Sequence, residues 1–188
     1  MQTITQENAT AKAQANTATV IIDHLVDALG GEPACKLMRA VILVDIDENP
    51  DTSQAGILER LDVNKSALNR DIEWFYDYGC ITRKPSLEDS RVMELRVCGY
   101  AKKNIDLALA YFDFNHQNLK SFLISLINLF GQHKPTLRDA KIVSVIGSNG
   151  SVTRQQIFDR LYNGPVSTDN RAVNNLINFG LVQSKNDE

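Results

Sequence analysis

Five side chains that can donate hydrogen bonds or carry positive charge fall within one short stretch: Asn64, Lys65, Ser66, Asn69 and Arg70. Arg83, Lys84, Asp89 and Arg91 follow close behind. No Ser or Cys sits beside a His in a recognisable motif, and the Asp/Glu pairs fall in turns or on polar faces, so no catalytic constellation emerges. The chemistry on offer is recognition. Arg meets a guanine edge through two parallel hydrogen bonds, and Asn meets adenine in the same way. Asn69 and Arg70 are thus candidates for base edges. Lys65 and Ser66 suit phosphate oxygens. Asn64 suits the cap of a helix, which leaves the first amides of that helix aimed at a phosphate. Together these residues suit double-stranded DNA.

The elements that must position them can be read from the pattern. A short helix ends near Leu61, a polar turn follows, and a second helix opens with Asn64-Lys65-Ser66 and stops at Gly79. Leu68, Ile72 and Phe75 are spaced i, i+4, i+7 and bind that helix to the domain, leaving Lys65, Asn69 and Arg70 on other faces. Cys80–Lys84 and Arg91–Val97 alternate in polarity around a polar tip at Pro85–Ser90. Helix, turn, helix and basic hairpin make a winged helix-turn-helix, whose second helix is shaped for the major groove.

Upstream, Val20-Ile21-Ile22, Leu25-Val26 and Leu29 share one helical face before Gly30-Gly31. A second helix is expected from about Pro33, a good first helical residue, through Leu37-Met38, Val41-Ile42 and Ile46. Asp47–Asp51 is a turn, and a third helix starts near Thr52 with Ile57, Leu58 and Leu61. Downstream, Tyr100–Phe114 and Gln117–Phe130 are amphipathic. Leu107, Ala110, Tyr111 and Phe114 line the first; Leu119, Phe122, Leu123, Leu126, Ile127 and Phe130 line the second. This is more apolar surface than one small domain needs and points to a homodimer interface.

The chain has 188 residues, 43% apolar and 23% charged, an ordinary balance for a globular protein. No stretch approaches the roughly 20 apolar residues of a membrane span. Residues 1–18 are polar and lack the apolar core of a signal peptide, so a loose arm and a cytoplasmic protein are expected. Cys35, Cys80 and Cys98 are widely spaced, and His24, His116 and His133 are scattered. Neither a disulfide framework nor a metal site nor a cofactor motif results. Cys35 as a redox sensor is the sharper alternative to a small apolar residue on a helix, and the plainer one is preferred. The net charge of −3 is unevenly spread: residues 1–63 hold 4 basic and 10 acidic side chains, and residues 64–103 hold 8 and 6. The acid lies away from the candidate reading helix.

The end of the chain repeats this unit. Ile57-Leu-Glu-Arg-Leu61 matches Ile157-Phe-Asp-Arg-Leu161, Asn69-Arg-Asp-Ile72 matches Asn170-Arg-Ala-Val173, and Tyr78-Gly-Cys-Ile81 matches Phe179-Gly-Leu-Val182. The offset is 100 before the turn and 101 after it. Thr136-Leu-Arg-Asp139 and Thr153-Arg-Gln-Gln156 read as capping boxes. Gly147-Ser-Asn-Gly150 reads as the turn between two helices and lacks the Lys-Ser/Thr of a phosphate loop. Asp169 stands where the first copy has Leu68, so the last helix is expected to start late, capped by Ser167 or Thr168. A full wing is not expected after Val182. Ser167, Thr168, Asn170 and Arg171 are a second candidate contact set, to DNA or to protein.

From Ile57 to Val97 the chain resembles the MarR family of bacterial transcription regulators. The likeness rests on Val-Asn-Lys-Ser-Ala-Leu-Asn-Arg opening the second helix, on Tyr-Gly-Cys-Ile at its end, and on the wing tip Pro-Ser-Leu-Glu-Asp-Ser-Arg with its Asp-x-Arg. The resemblance extends over about residues 18–130 and implies dimerisation helices before the helix-turn-helix and after the wing. It makes Arg91 the minor-groove arginine, braced by Asp89, and implies a small-molecule effector. Asp71, where that family usually has an apolar residue, and the added C-terminal unit are departures.

The expected architecture is mainly α with a small β-hairpin wing: an arm over 1–18, a winged helix-turn-helix with its N-terminal dimerisation helix over 19–98, dimerisation helices over 99–133, and a second, truncated winged-helix-like domain over 134–188. The expected function is dimeric, sequence-specific DNA binding in transcription regulation. The alternatives are a tandem winged-helix scaffold for protein contacts, similar in size and layout to the accessory subunit of bacterial condensin, and a plasmid-type replication initiator.

Overall fold

The computed structural model describes residues 16–161 and 165–184. The first fifteen residues of the expected arm lie outside the described residues. Helix α1 covers 16–28, and Ile21, Ile22, Leu25, Val26 and Leu29 are buried on the face their spacing predicts. Helix α2, Leu37–Glu48, starts four residues later than expected. Pro33 is not its first residue. The Pro33 carbonyl accepts a hydrogen bond from Arg138 N (2.9 Å), and Lys36 forms an antiparallel bridge with Thr136. These distant partners hold 33–36 as a turn leading into the bridge, outside the helix.

Residues Thr52–Ser53, expected to open a helix, form the short strand β1. Helix α3, Gln54–Arg60, begins after it, with Ser53 Oγ accepting from Gly56 N (3.2 Å). Helix α4, Lys65–Asp77, buries Leu68, Ile72 and Phe75. Asn64 caps it by accepting from the amides of Ser66 (2.9 Å) and Ala67 (3.2 Å). Gly79 ends it at φ +67°, a conformation in which a side chain is strained. Strands β2, Ile81–Pro85, and β3, Met93–Val97, make the wing. The sheet is antiparallel in the order β1-β3-β2, with Arg83 opposite Leu95 and Thr52 on the other side of Leu95.

Helix α5, Gly99–Leu109, continues into a tight 3-10 turn, Ala110–Phe112, and Asp113 and Phe114 then take positive φ (52° and 57°). The buried face of α5 is Ala101, Ile105, Ala108 and Leu109. The stripe of Leu107, Ala110, Tyr111 and Phe114 lies exposed, outside the core. Helix α6, His116–Leu129, buries Leu119 and Leu123 against α2. A buried ionic knot fixes this contact. Asp45, wholly buried, accepts from Arg60 Nη2 of α3 (2.8 Å) and from Lys120 Nζ of α6 (3.0 Å), and Lys120 also pairs with Glu48. Neighbouring Asp47 accepts from Lys102 Nζ (2.9 Å) and faces His116 Nε2 (2.8 Å). Helices α2 and α3 are thereby tied to α5 and α6.

The tail folds as three more helices: α7, Leu137–Asn149; α8, Arg154–Phe158; and α9, Val166–Asn178. Both capping boxes are present, at Thr136/Asp139 and Thr153/Gln156. Two expectations are corrected. Gly147 to Asn149 belong to α7, whose amide ladder runs on until Gly150 takes φ +70°. Helix α9 starts early, at Val166, with Pro165 at its cap, so Ser167 and Thr168 occupy its first turn. Asp169 does not delay the helix because it is buried and accepts from Arg138 Nη1 (2.8 Å).

Helices α7, α8 and α9 stand in the order of α2, α3 and α4, and the offset of 100 extends to the first pair: Leu37, Ala40, Ile42 and Ile46 match Leu137, Ala140, Ile142 and Ile146. The tail has its own core of Ile142, Val145, Ile157, Val173 and Leu176, with Phe130 at its edge. It meets the head where the two units begin. Leu37 N donates to Pro135 O and Leu137 N donates to Cys35 O (2.9 Å each), so equivalent residues exchange equivalent bonds. Lys141 Nζ adds a pair to Asp23 of α1 (2.6 Å).

Candidate nucleic-acid interface

Helix α4 turns its apolar row inward, which leaves Lys65, Ser66, Asn69 and Arg70 exposed. Among the described residues none of these four side chains is engaged in a hydrogen bond or ion pair. The back of the helix is pinned. Arg39 Nε donates to Asp71 Oδ1 (2.7 Å) while its guanidinium lies 4.4 Å above the Trp74 ring, and Trp74 stacks on Tyr78 (4.2 Å). Asp71 is polar where an apolar residue was expected because it holds Arg39.

The wing carries its cations in two different states. Arg91, at the tip, is 89% exposed in its side chain and held by Asp89, which accepts from Arg91 Nε (3.1 Å), Nη2 (3.0 Å) and backbone N (3.0 Å). The arginine holds the Asp89 carboxyl below its ordinary range. This is a braced, projecting cation. Arg83 is different. It clamps Glu73 of α4 with two bonds (2.7 and 2.8 Å) and lies 4.2 Å over the Tyr76 ring. Its charge is spent on fastening the wing to the reading helix, and the Glu73 carboxyl is held below its usual value by it. Lys84 is exposed but shared between Asp51 (3.2 Å) and Glu94 (3.3 Å). Arg96 pairs with Asp51 as well, and Arg96 and then Lys84 push the Asp51 carboxyl down. The sequence alone did not reveal Glu73, Tyr76, Asp51 or Arg96 in these roles, since each pairing crosses from one element to another.

Between α3, α4 and the wing lies a cleft of about 400 Å3, lined by Gln54, Asn69, Glu73, Arg83, Arg91 and Met93 among others. Gln54 Nε2 is buried there without a partner. The cysteines have the plainer character: burial raises the Cys35 thiol and pushes that of Cys80 up to about 11, so neither is a thiolate at neutral pH. No helix among the described residues is long and apolar enough to cross a membrane.

In the tail, Ser167, Thr168 and Arg171 are exposed and Asn170 is half-buried. Arg154 of α8, absent from the sequence-derived set, donates to Asn170 Oδ1 (3.1 Å) and Asn174 Oδ1 (2.8 Å).

No curated protein matches the chain. Among solved structures, three are similar over part of the chain. The crystal structure of MarR is 20% identical, over 66% of this chain and 93% of that one, with a TM-score of 0.37. The transcriptional regulator SlyA is 17% identical, over 47% and 78%, with a TM-score of 0.33. Streptococcus pneumoniae FabT in complex with DNA is 16% identical, over 74% and 71%, with a TM-score of 0.32. The model of the MarR family matches residues 37–93, the stretch from α2 through both helices of the helix-turn-helix to the first residue of β3. Over those residues, which hold α4 and the wing tip, the chain is similar to the MarR family.

Proposed function

We propose that this chain is a dimeric, sequence-specific DNA-binding transcription regulator that places α4 in the major groove and the wing tip in the minor groove. The observation that carries this reading is the pairing of a reading helix whose Lys65, Ser66, Asn69 and Arg70 are exposed and unengaged with a projecting Arg91 braced by Asp89. Asn69 and Arg70 would read base edges, and Lys65, Ser66 and the α4 amides capped by Asn64 would hold phosphates. Arg91 would favour a narrow minor groove, where negative potential is strongest. Arg83 supports the wing from behind, and Lys84 adds exposed charge. The apolar side chains left outside the fold, Leu107, Tyr111 and Phe114 beside α5 and Ile124 and Leu129 on α6, support a homodimer across these helices. The cleft beside Gln54 has room for a small effector.

A salt-dependent gel shift with genomic fragments tests the core of this reading. Arg70→Ala should weaken the preferred site by about 1–3 kcal/mol and relax its sequence choice, and Arg91→Ala should weaken it through charge and groove width. If both variants bind like the parent, the helix and wing are wrongly assigned. Sedimentation at micromolar concentration should show a dimer; a monomer would remove the proposed role of α5 and α6.

A further inference from the structure

We infer that the outward face of α8 and α9 is a second DNA-reading surface, built to donate hydrogen bonds to phosphates and to the acceptor edge of guanine; this rests on the head being a DNA-reading unit. Arg154 bridges two carboxamides, Asn170 (3.1 Å) and Asn174 (2.8 Å). A guanidinium has donors only. Each amide must therefore turn its oxygen toward Arg154 and its NH2 away, and flipping either would set N–H against N–H. The two asparagines lie one turn apart, so their NH2 groups form a row along α9. Ser167, Thr168 and Arg171 stand exposed on the same helix. Its one carboxylate, Asp169, is buried against Arg138, and Asp159, past the end of α8, accepts from Gln155. A row that donates without a carboxylate among its members matches groups that accept without donating: phosphate oxygens and guanine O6 and N7.

The join between the two units points the same way. Two of the three backbone bonds beside the Lys36–Thr136 bridge, Leu37 N to Pro135 O and Leu137 N to Cys35 O, are exchanged between equivalent residues, in the manner of a local two-fold contact; the third, Arg138 N to Pro33 O, has no counterpart. The exchange relates α2 to α7, the helices that open the two units. Paired helix-turn-helix units related in this way read two half-sites on a duplex. A protein partner fits less well. The amide row has no apolar anchor of the kind on which protein interfaces centre, and the exposed apolar side chains Val166 and Phe179 lie at the two ends of the helix.

The test uses the full chain. Duplexes are selected from a random-sequence library, and the selected duplex is titrated by fluorescence anisotropy. Asn174→Asp keeps the side chain's shape and turns its bond with Arg154 into an ion pair, so thermal unfolding should show an intact fold. It replaces the outward donor with an acceptor. Affinity should fall about tenfold, with base preference lost on the flank of the selected motif while the core preference, which answers to Arg70→Ala, persists. Arg171→Ala should weaken binding likewise and flatten the log–log salt slope by about one unit. Unchanged affinity, flank preference and salt slope in both variants would overturn the inference and leave the head's role standing. Binding insensitive to Arg70→Ala as well would overturn both.

Discussion

The two three-helix stretches of this chain, α2–α4 in the head and α7–α9 in the tail, fill the same place with arginines of different origin. In the head, the third-turn residue of the reading helix is Glu73, and Arg83 reaches it from the wing strand that follows. In the tail the equivalent residue is Asn174, and Arg154 reaches it from the helix that precedes. The position equivalent to Arg154 is Gln54 in the head, where its Nε2 is left buried and unpartnered. No strand follows α9 among the described residues. A winged unit can therefore spend a strand residue on bracing its helix, whereas the tail braces α9 from within the helix-turn-helix itself. The buried charges show the same shift. The head buries Asp45, whose tail counterpart is the apolar Val145. The tail buries Asp169 with Arg138, whose head counterparts are Leu68 and Met38. Asp45 reaches out to Lys120 on α6, but Asp169 closes its pair inside the tail. Of these two buried carboxylates, the head's reaches another group of elements and the tail's stays within its own unit, whose link to α1 is Lys141 with Asp23 instead.

The largest effect should come from cutting the head's link to α6. Asp45→Val, which copies the tail, leaves Lys120 with Glu48 alone and frees Arg60. Leaving a buried charge unpaired costs roughly 3–5 kcal/mol. Lys120 keeps one partner, so a loss toward the lower end is expected in urea unfolding. Adding Lys120→Met should recover most of it. A double variant as unstable as the single one would mean that the knot stabilises through something other than charge pairing.

The tail's pair should respond with a loss no larger and a fuller recovery. Asp169→Leu leaves Arg138 buried and should cost about 3 kcal/mol. Arg138→Met together with Asp169→Leu installs the head's two residues, and stability should return to the parent's or exceed it, since hydrophobic replacement of a buried pair is often neutral or favourable. Thermal unfolding followed in the tail, by a probe near Ile157, checks both arms.

How much of this was open to the sequence depends on how far each residue's partner lies along the chain. The α4 helix was legible in full, because its cap, its buried row of Leu68, Ile72 and Phe75, and its terminating Gly79 are all local chemistry. The capping boxes at Thr136 and Thr153 were legible for the same reason. The start of α2 was not, because its backbone is claimed by residues 135–138. Strand β1 was not, since two residues carry no periodicity and their partners are Leu95 and Glu94. Arg83 read as a free wing cation because Glu73 lies on another element. The apolar stripe from Leu107 to Phe114 was legible, but the end of its helix was not, because periodicity assumes a helix that continues and this one tightens at Ala110. The exposure of Lys65, Asn69 and Arg70 was thus visible in outline, but which cations of the helix and wing are unengaged was not.

Acid should separate the two units next, with a modest effect. The arginines that face Glu73, Asp89 and Asp51 hold these carboxyls below their ordinary values. A group whose folded pKa lies below its unfolded one stabilises the fold above the unfolded value and loses that contribution as pH falls through the folded value. The wing contacts should therefore persist down to about pH 4 and weaken below it. Glu73 is exposed and Asp89 and Asp51 are half-exposed, so added salt should blunt the effect. In the tail, the Arg154 bridge to Asn170 and Asn174 has no titratable acceptor. Amide exchange should show protection of β2 and β3 declining on the acid side while that of α9 holds. A parallel decline in both would show that the wing clamp is not what responds to acid.

The smallest effect concerns how each reading helix begins. Asn64 caps α4 through its side chain, whereas Pro165 stands at the cap of α9 and offers none. Removing a side-chain cap typically costs about 1 kcal/mol. Asn64→Ala should destabilise the head by roughly that much and fray the first turn of α4, loosening Lys65 and Ser66, so DNA affinity should fall along with stability. Pro165→Asn should act in the opposite direction, by a few tenths of a kcal/mol, because the new side chain can accept from the amides of the first turn while the proline's rigidity is given up. If α9 reads DNA, ordering its first turn should also tighten binding slightly, through Ser167 and Thr168. A stabilised α9 with unchanged DNA affinity would place the reading residues further along the helix, at Asn170, Arg171 and Asn174.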